Sequence, residues 1–341
     1  MANKGCIKIE PDINKNKDPE KQTPETHTWA DWKKSGTAVL TGQFLQAKSP
    51  SVVKDGDVYR MFYSCFDPNR KIPGAEICQA TSSDRLNWES APSIDPQLNG
   101  RVLNTGLGVW DSAHEFPFTV KTASSFLMYF LGYLDQGGLS KSSPISVGLA
   151  ESTDGVHFSQ QADPVLTGTQ DSYDSEMISS PSVVTVSDKQ SILFYVGHCL
   201  TACRAKYEPR VLAATSSDLK NWTKLNRPVV DLKSTTWKDH SVLNAKVTYA
   251  MDGFFYLFLT LQKTGSPSVI TLARSKSVIG PWLVNDKAIL QASEAGNFDE
   301  SGVFAPSVLI EGAKVFLWFQ GNNQKGESSI GLAESSMPLY Q

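Results

Sequence analysis

No run of about eighteen apolar residues occurs anywhere in the chain, so the sequence offers no candidate membrane-spanning helix. Its opening residues, Met1-Ala2-Asn3-Lys4-Gly5-Cys6, lack the apolar stretch of a signal peptide. The compartment is left open: secreted or periplasmic if an export signal has been trimmed, cytoplasmic otherwise. Charge of neither sign dominates, with a formal net charge of -3 and a pI near 6.0. No cluster of basic residues is interleaved with aromatics, and a nucleic acid partner is therefore not expected. Histidine is scarce. The five present show no metal-ligand spacing, which argues against a transition-metal cofactor and leaves only a structural calcium open. Cysteine is scarce too, at five residues. Cys65 and Cys78, and Cys199 and Cys203, are candidate disulfide pairs, with buried free thiols as the alternative.

What the sequence does have is apolar material, 40% of its residues, enough to exclude disorder for most of the chain and to build a large core. That material is arranged in a repeat. The segments Ala80-Thr81-Ser82-Ser83-Asp84, Ala150-Glu151-Ser152-Thr153-Asp154 and Ala214-Thr215-Ser216-Ser217-Asp218 are near copies, each followed four residues after its Asp by an aromatic, Trp88, Phe158 or Trp222. Degenerate copies follow at Ala273-Arg274-Ser275, with Trp282 downstream, and at Ala333-Glu334-Ser335. A second series precedes each copy: Ser49-Pro50-Ser51-Val52, Phe116-Pro117-Phe118-Thr119, Ser180-Pro181-Ser182-Val183, Asn244-Ala245-Lys246-Val247 and Ala305-Pro306-Ser307-Val308. Between the two series lie aromatic and β-branched runs bounded by Gly, Ser, Asn and Asp, which read as strands.

Each unit thus predicts four strands, and radial repetition of four-stranded units is a β-propeller. The predicted fold is all-β, a five-bladed propeller with blades at roughly 43–107, 108–171, 172–236, 237–297 and 298–341. The last unit lacks its fourth-strand aromatic. Residues 27–42 supply an N-terminal strand that closes the last blade and removes an open sheet edge. Residues 1–26, rich in Lys, Asn, Asp, Glu and Pro, read as an extended arm outside a propeller of residues 27–341.

The combination of an aromatic-Asp dipeptide, Pro-Ser-Val, a Tyr-containing strand and Ala-x-Ser-x-Asp-x-x-x-Trp resembles the five-bladed propeller glycosidases. That group spans arabinanases and xylosidases, invertases and levansucrases, and mannosyl phosphorylases. The resemblance covers nearly the whole chain and singles out no one family. It implies a carbohydrate substrate and two carboxyl groups at the channel mouth, an acid for the leaving oxygen and a base or nucleophile opposite. Glu115, in Glu115-Phe116-Pro117, matches the Glu-x-Pro context of the general acid in arabinanase-like enzymes, although it opens the second blade rather than the third. Its apolar neighbours Phe116 and Phe118 suit a proton donor; the alternative is a carboxylate that bonds loop amides.

In the first blade the resembled arabinanases place an Asp before the Pro, where this chain has Ser49 preceded by Lys48. Asp174 and Glu176, in Tyr173-Asp174-Ser175-Glu176, are the substitutes considered for the second carboxylate, with Asp239 and Glu300 as further alternatives. Asp174 shares its place with Asp111 and Asp299, and a residue repeated in several blades reads more readily as a turn former. The remaining polar candidates are Lys48, Ser49, His114, His240, Asn244 and Lys246 at inner-strand starts, and Asp67, Arg70, His198, Arg204, Glu208 and Arg210 on second-to-third loops. Trp110 and Trp237 read as packing residues ahead of sugar platforms. Three functions stay open: a glycoside hydrolase acting on a furanoside or related glycan; a phosphorylase, in which phosphate takes the place of the absent base; and a glycan-binding propeller without turnover.

Overall fold

The structure is a computed structural model, and it describes residues 28–43, 46–66, 75–94, 98–103, 110–134, 145–199 and 209–341. Among the described residues there is no α-helix, and twenty strands form five four-stranded antiparallel sheets. Strand β1 (Lys33–Lys34) is first in the chain and last in the ring. The first blade is β2 (Ala47–Asp55), β3 (Val58–Phe66), β4 (Ala75–Ser82) and β5 (Glu89–Ser90). The second is β6 (Ala113–Lys121), β7 (Phe126–Tyr133), β8 (Ser146–Ser152) and β9 (Ser159–Gln160). The third is β10 (Met177–Ser187), β11 (Gln190–His198), β12 (Arg210–Ser216) and β13 (Thr223–Lys224). The fourth is β14 (Ser241–Tyr249), β15 (Phe255–Gln262), β16 (Val269–Ser275) and β17 (Leu283–Val284). The fifth is β18 (Gly302–Glu311), β19 (Lys314–Asn322) and β20 (Ser328–Ser336), with β1 on its outer edge. Lys33 pairs with Glu334 and Lys34 with Ala333, which is the predicted closure by the N-terminal strand.

Each part of the repeat has a mechanical role. Second strands are covered on both faces by neighbouring blades, so their central residues run apolar and buried without alternation; every residue of β7 is buried. The Ser and Asp of the third-strand motif build a turn. Ser82 Oγ accepts from the Asp84 and Arg85 amides, and Asp84 Oδ1 from those of Leu86 and Asn87, at 2.8–3.3 Å overall in this and the matching Asp154 and Asp218 turns. The Asn87 and Asn221 amides hold the Asp84 and Asp218 carboxyls well below the usual carboxylate range, and His157 does so for Asp154.

The turn delivers its aromatic to the preceding blade. Trp88, Phe158, Trp222, Trp282 and Trp32 meet Trp318, Phe62, Tyr129, Phe194 and Phe258 edge to face, with centroids 5.5–6.2 Å apart. Each such pair adds about 0.5–1.5 kcal/mol beyond the area it buries. Trp32, from the closing segment, completes the circle of five.

The inner strands share a defect that aims side chains at the channel mouth. Every one has a register shift near its start. In four blades the residue just before Pro takes a positive φ: Ser49 at 49°, Phe116 at 52°, Ser180 at 55° and Ala305 at 44°. Non-glycine residues adopt this region rarely, and a bulge there turns the flanking side chains out of the strand's alternation. The Cys65–Cys78 disulfide joins β3 to β4 inside the first-blade core, with Cα atoms 5.8 Å apart, and Cys199 is disulfide-bonded as well.

Candidate active site

The bulged ends of all five inner strands surround a cavity of about 390 Å³. β2 contributes Lys48 and Ser49, β6 contributes Glu115 and Phe116, and β10 contributes Met177 and Ser179. Leu243 and Asn244 of β14 and Phe304 of β18 close the ring. Tops of second strands and Ile145, just before β8, form the rest of the wall, with Leu131 and Tyr133 from β7, His198 from β11 and Gln320 from β19.

Most of this surface is apolar and its few polar groups are oriented. Glu115, half-buried, is the acidic side chain among the described lining residues, and Lys48 is the ammonium. His198 Nε2 lies 3.0 Å from Ser179 Oγ, and burial pushes the imidazole pKa down to about 4, so it is neutral at physiological pH. Gln320 Oε1 accepts from the Ser49 amide at 3.1 Å, while its Nε2 donates to Asn322 Oδ1 at 2.9 Å. Asn244 Oδ1 accepts from the Ala305 amide at 3.0 Å. A neutral imidazole, two planar amides, one carboxyl and one cation around an apolar floor form a site suited to a polyhydroxylated ligand.

Of the residues singled out by sequence, Lys48, Ser49, Glu115, His198 and Asn244 come together here. Lys246 lies apart from the lining: it is wholly buried, donates to the Pro181 carbonyl at 2.8 Å, and sits 5.2 Å from the Phe118 ring centroid. Desolvation lowers its pKa to about 7. His114 is enclosed behind the second blade, 3.2 Å from Asp111 Oδ2 and edge-on to Phe130, and burial holds its imidazole below the ordinary pKa. His240 packs on Trp237 and lines a separate groove. Arg204 lies outside the described residues, as do Asp67, Arg70, Glu208 and Cys203.

Asp174 is withheld from the cavity. It is buried and accepts from the Thr169 amide, Tyr195 Oη and Lys224 Nζ at 3.1, 3.0 and 2.5 Å. Its counterparts act in the same way, since Asp111 accepts from Gln160 and Asp299 from Lys34. Gln160, Lys224 and Lys34 occupy matching places on their outer strands, opposite Ala150, Ala214 and Ala333. The repeated Asp therefore ties each blade's entry loop to its own outer strand. Glu176 is exposed on the loop entering β10, one residue before the lining Met177, and its amide donates to the His198 carbonyl at 3.0 Å. Trp110 stacks on Phe130, and Trp237 is buried with its Nε1 bonded to the Asn285 carbonyl, so both pack.

Ser179 and Phe304 were missed as site residues, although a positional signal existed. Both stand two residues before Pro, the place held by Lys48 and Glu115 in their own blades. Gln320 and Tyr133 carry no such mark, because they reach the cavity from second strands.

The model of glycosyl hydrolases family 43 matches residues 178–340, the third blade through the fifth. Among solved structures, a glycoside hydrolase superposes with a TM-score of 0.74 at 19% identity, covering 90% of this chain and 92% of that one. An exo-1,5-alpha-L-arabinanase from a bovine ruminal metagenomic library gives 0.61 at 12% identity, covering 88% and 94%. A member of the GH130 family of mannoside phosphorylases, which contains glycoside hydrolases that target beta-1,2 mannosidic linkages in Candida mannan, gives 0.59 at 15% identity, covering 93% and 99%. No curated protein sequence matches. The resemblance drawn from the repeat, to the five-bladed propeller glycosidases without choice of a family, is borne out by this match and by the shared fold.

Proposed function

We propose that the chain is a glycoside hydrolase acting on a furanoside or related glycan in the channel-mouth cavity, with Glu115 as the general acid. The observation that carries this reading is the placement of Glu115 on the bulged end of β6, half-buried and facing a cavity shared with Phe116, Leu131, Tyr133 and Ile145. Apolar walls strip water from a bound sugar and leave the carboxyl to protonate the departing oxygen. Glu176, exposed beside the lining Met177, is assigned as base or nucleophile. Likeness to an arabinanase supports a furanoside. The Cys65–Cys78 disulfide supports an oxidising compartment, hence a secreted or periplasmic protein.

Phosphorolysis is the second reading. It is favoured by one feature: among the described lining residues Glu115 is the sole carboxylate, and Lys48 stands ready for an anion. Incubating the protein with furanosyl and mannosyl oligosaccharides, with and without inorganic phosphate, separates the readings. Reducing sugar released without phosphate supports the hydrolase. Sugar phosphate formed only with phosphate supports the phosphorylase, and binding without turnover across the panel overturns both.

A further inference from the structure

A groove of about 540 Å³ runs between the third and fourth blades, and its rim carries the residues at which the repeat is broken. In the second and fifth blades the entry-loop aromatic lies on paired glycines. A Cβ on Gly132 or Gly148 would come within 2.2 or 2.9 Å of the Trp110 ring, and one on Gly321 or Gly331 within 2.5 or 2.6 Å of Phe298. The third blade keeps the first glycine of the pair as Gly197. At the place of Gly148 and Gly331 it has Leu212, set opposite Tyr195 as they are opposite Phe130 and Phe319. Leu212 Cδ1 occupies the space over Gly197. The Tyr173 ring is thereby kept off the sheet and stands 38% exposed on the groove.

Two further departures add positive charge. Where β8 has Ser146 and β20 has Ser329, β12 has Arg210. Where the second, third and fifth blades have the tethering Asp, the fourth has Lys238, and the outer-strand partner has become Val284. Lys238 and Lys233 are exposed on the groove and form no ion pair with described residues. The groove's acidic residue, Asp231, accepts from the Lys233 amide in a local turn. In a chain of net charge -3, this groove exposes Lys233 and Lys238 beside a single carboxylate among its described lining residues.

The groove and the candidate active site are separate cavities that adjoin along β14. His240, Ser241 and Val242 line the groove, and the next two residues along the chain, Leu243 and Asn244, line the cavity. We propose that the groove binds an anionic glycan, one bearing carboxylate or sulfate groups, with Tyr173 stacking on a sugar face and Arg210, Lys233 and Lys238 facing its charges. A chain lying there delivers its adjoining residues to the cavity, so the groove selects the substrate class for the cleavage proposed above and rests on that reading for its purpose. Its capacity to bind does not depend on turnover.

Isothermal titration of the full chain with polygalacturonate oligosaccharides, sulfated oligosaccharides and neutral arabinan oligosaccharides of equal length tests this. Binding is expected for one or both anionic ligands, weakening as salt rises from about 50 to about 300 mM. The Lys233→Gln/Lys238→Gln double variant should lose about fivefold or more in affinity at low salt, and Tyr173→Ala should also bind more weakly. These side chains are exposed, and an unchanged melting temperature verifies the fold. Neutral oligosaccharides binding as tightly as anionic ones, no anionic ligand binding, or a double variant that binds like the parent would each overturn the proposal. Because binding is read without cleavage, an inactive Glu115→Gln protein that still binds anionic glycan keeps the groove assignment separate from the catalytic one.

Discussion

The Nζ of Lys246 donates a 2.8 Å hydrogen bond to the carbonyl of Pro181, joining the inner strands of the fourth and third blades. Elsewhere a serine at the same place joins neighbours, with Ser51, Ser182 and Ser307 accepting from the amides of Thr119, Val247 and Val52 at 2.8–2.9 Å. The fourth blade thus substitutes a buried amine for a hydroxyl. Its folded pKa, about 7, lies below the ordinary 10.5, so between these values the unfolded chain binds the extra proton and stability rises with pH.

Urea denaturation between about pH 7 and pH 9 should show that rise, at most about 1.4 kcal/mol per pH unit from this group. Lys246→Met should flatten it. An unchanged slope in the variant would show that Lys246 is not the group responsible.

His198 gives the corresponding acid-side expectation. Burial lowers its pKa from 6.5 to about 4, so in that interval the unfolded state binds more protons and the fold loses stability as pH falls. Chemical denaturation across the interval should be less pH-sensitive in His198→Asn than in the parent.

Gly148 tests the packing account. A Cβ there would lie 2.4 Å from the Phe130 ring and 2.9 Å from Trp110. Gly148→Ala should therefore cost about 1–3 kcal/mol and shift Trp110 toward solvent, read as a red shift in tryptophan fluorescence. A variant with parental stability and emission would refute the glycine platform.

The disulfide between Cys65 and Cys78 closes a short loop, with a sequence separation of 13. Replacing both by serine should lower unfolding free energy by about 3 kcal/mol. Substitution is the cleaner measurement than reduction, since Cys199 is also disulfide-bonded.

The blade count and ring closure were legible because each repeated residue does the same mechanical job in the blades that keep it. Ser82 and Asp84 shape a turn, Trp88 stacks on the blade before it, and Pro50 follows a bulge. The site was legible only where it coincides with the repeat's own offsets. Glu115, Lys48 and Asn244 stand at such offsets, whereas His114, one residue from Glu115, faces the blade interior through strand alternation. Asp174 stands among the candidate carboxylates by sequence, but its recurrence already favours a structural role, and the structure shows it tethering its blade's entry loop to the outer strand. Tyr173 was legible as an aromatic position, but its exposure depends on Leu212 in another strand, a relation that only the sheet register reveals.

Glu115 carries the central claim, and its removal tests it most directly. With arabino-oligosaccharides or another cleaved glycan, folded Glu115→Gln should release reducing sugar about a hundredfold or more slowly than the parent, with an unchanged melting temperature. Undiminished hydrolysis by that variant would contradict the assignment of Glu115 as the acid and, with it, the proposed active site.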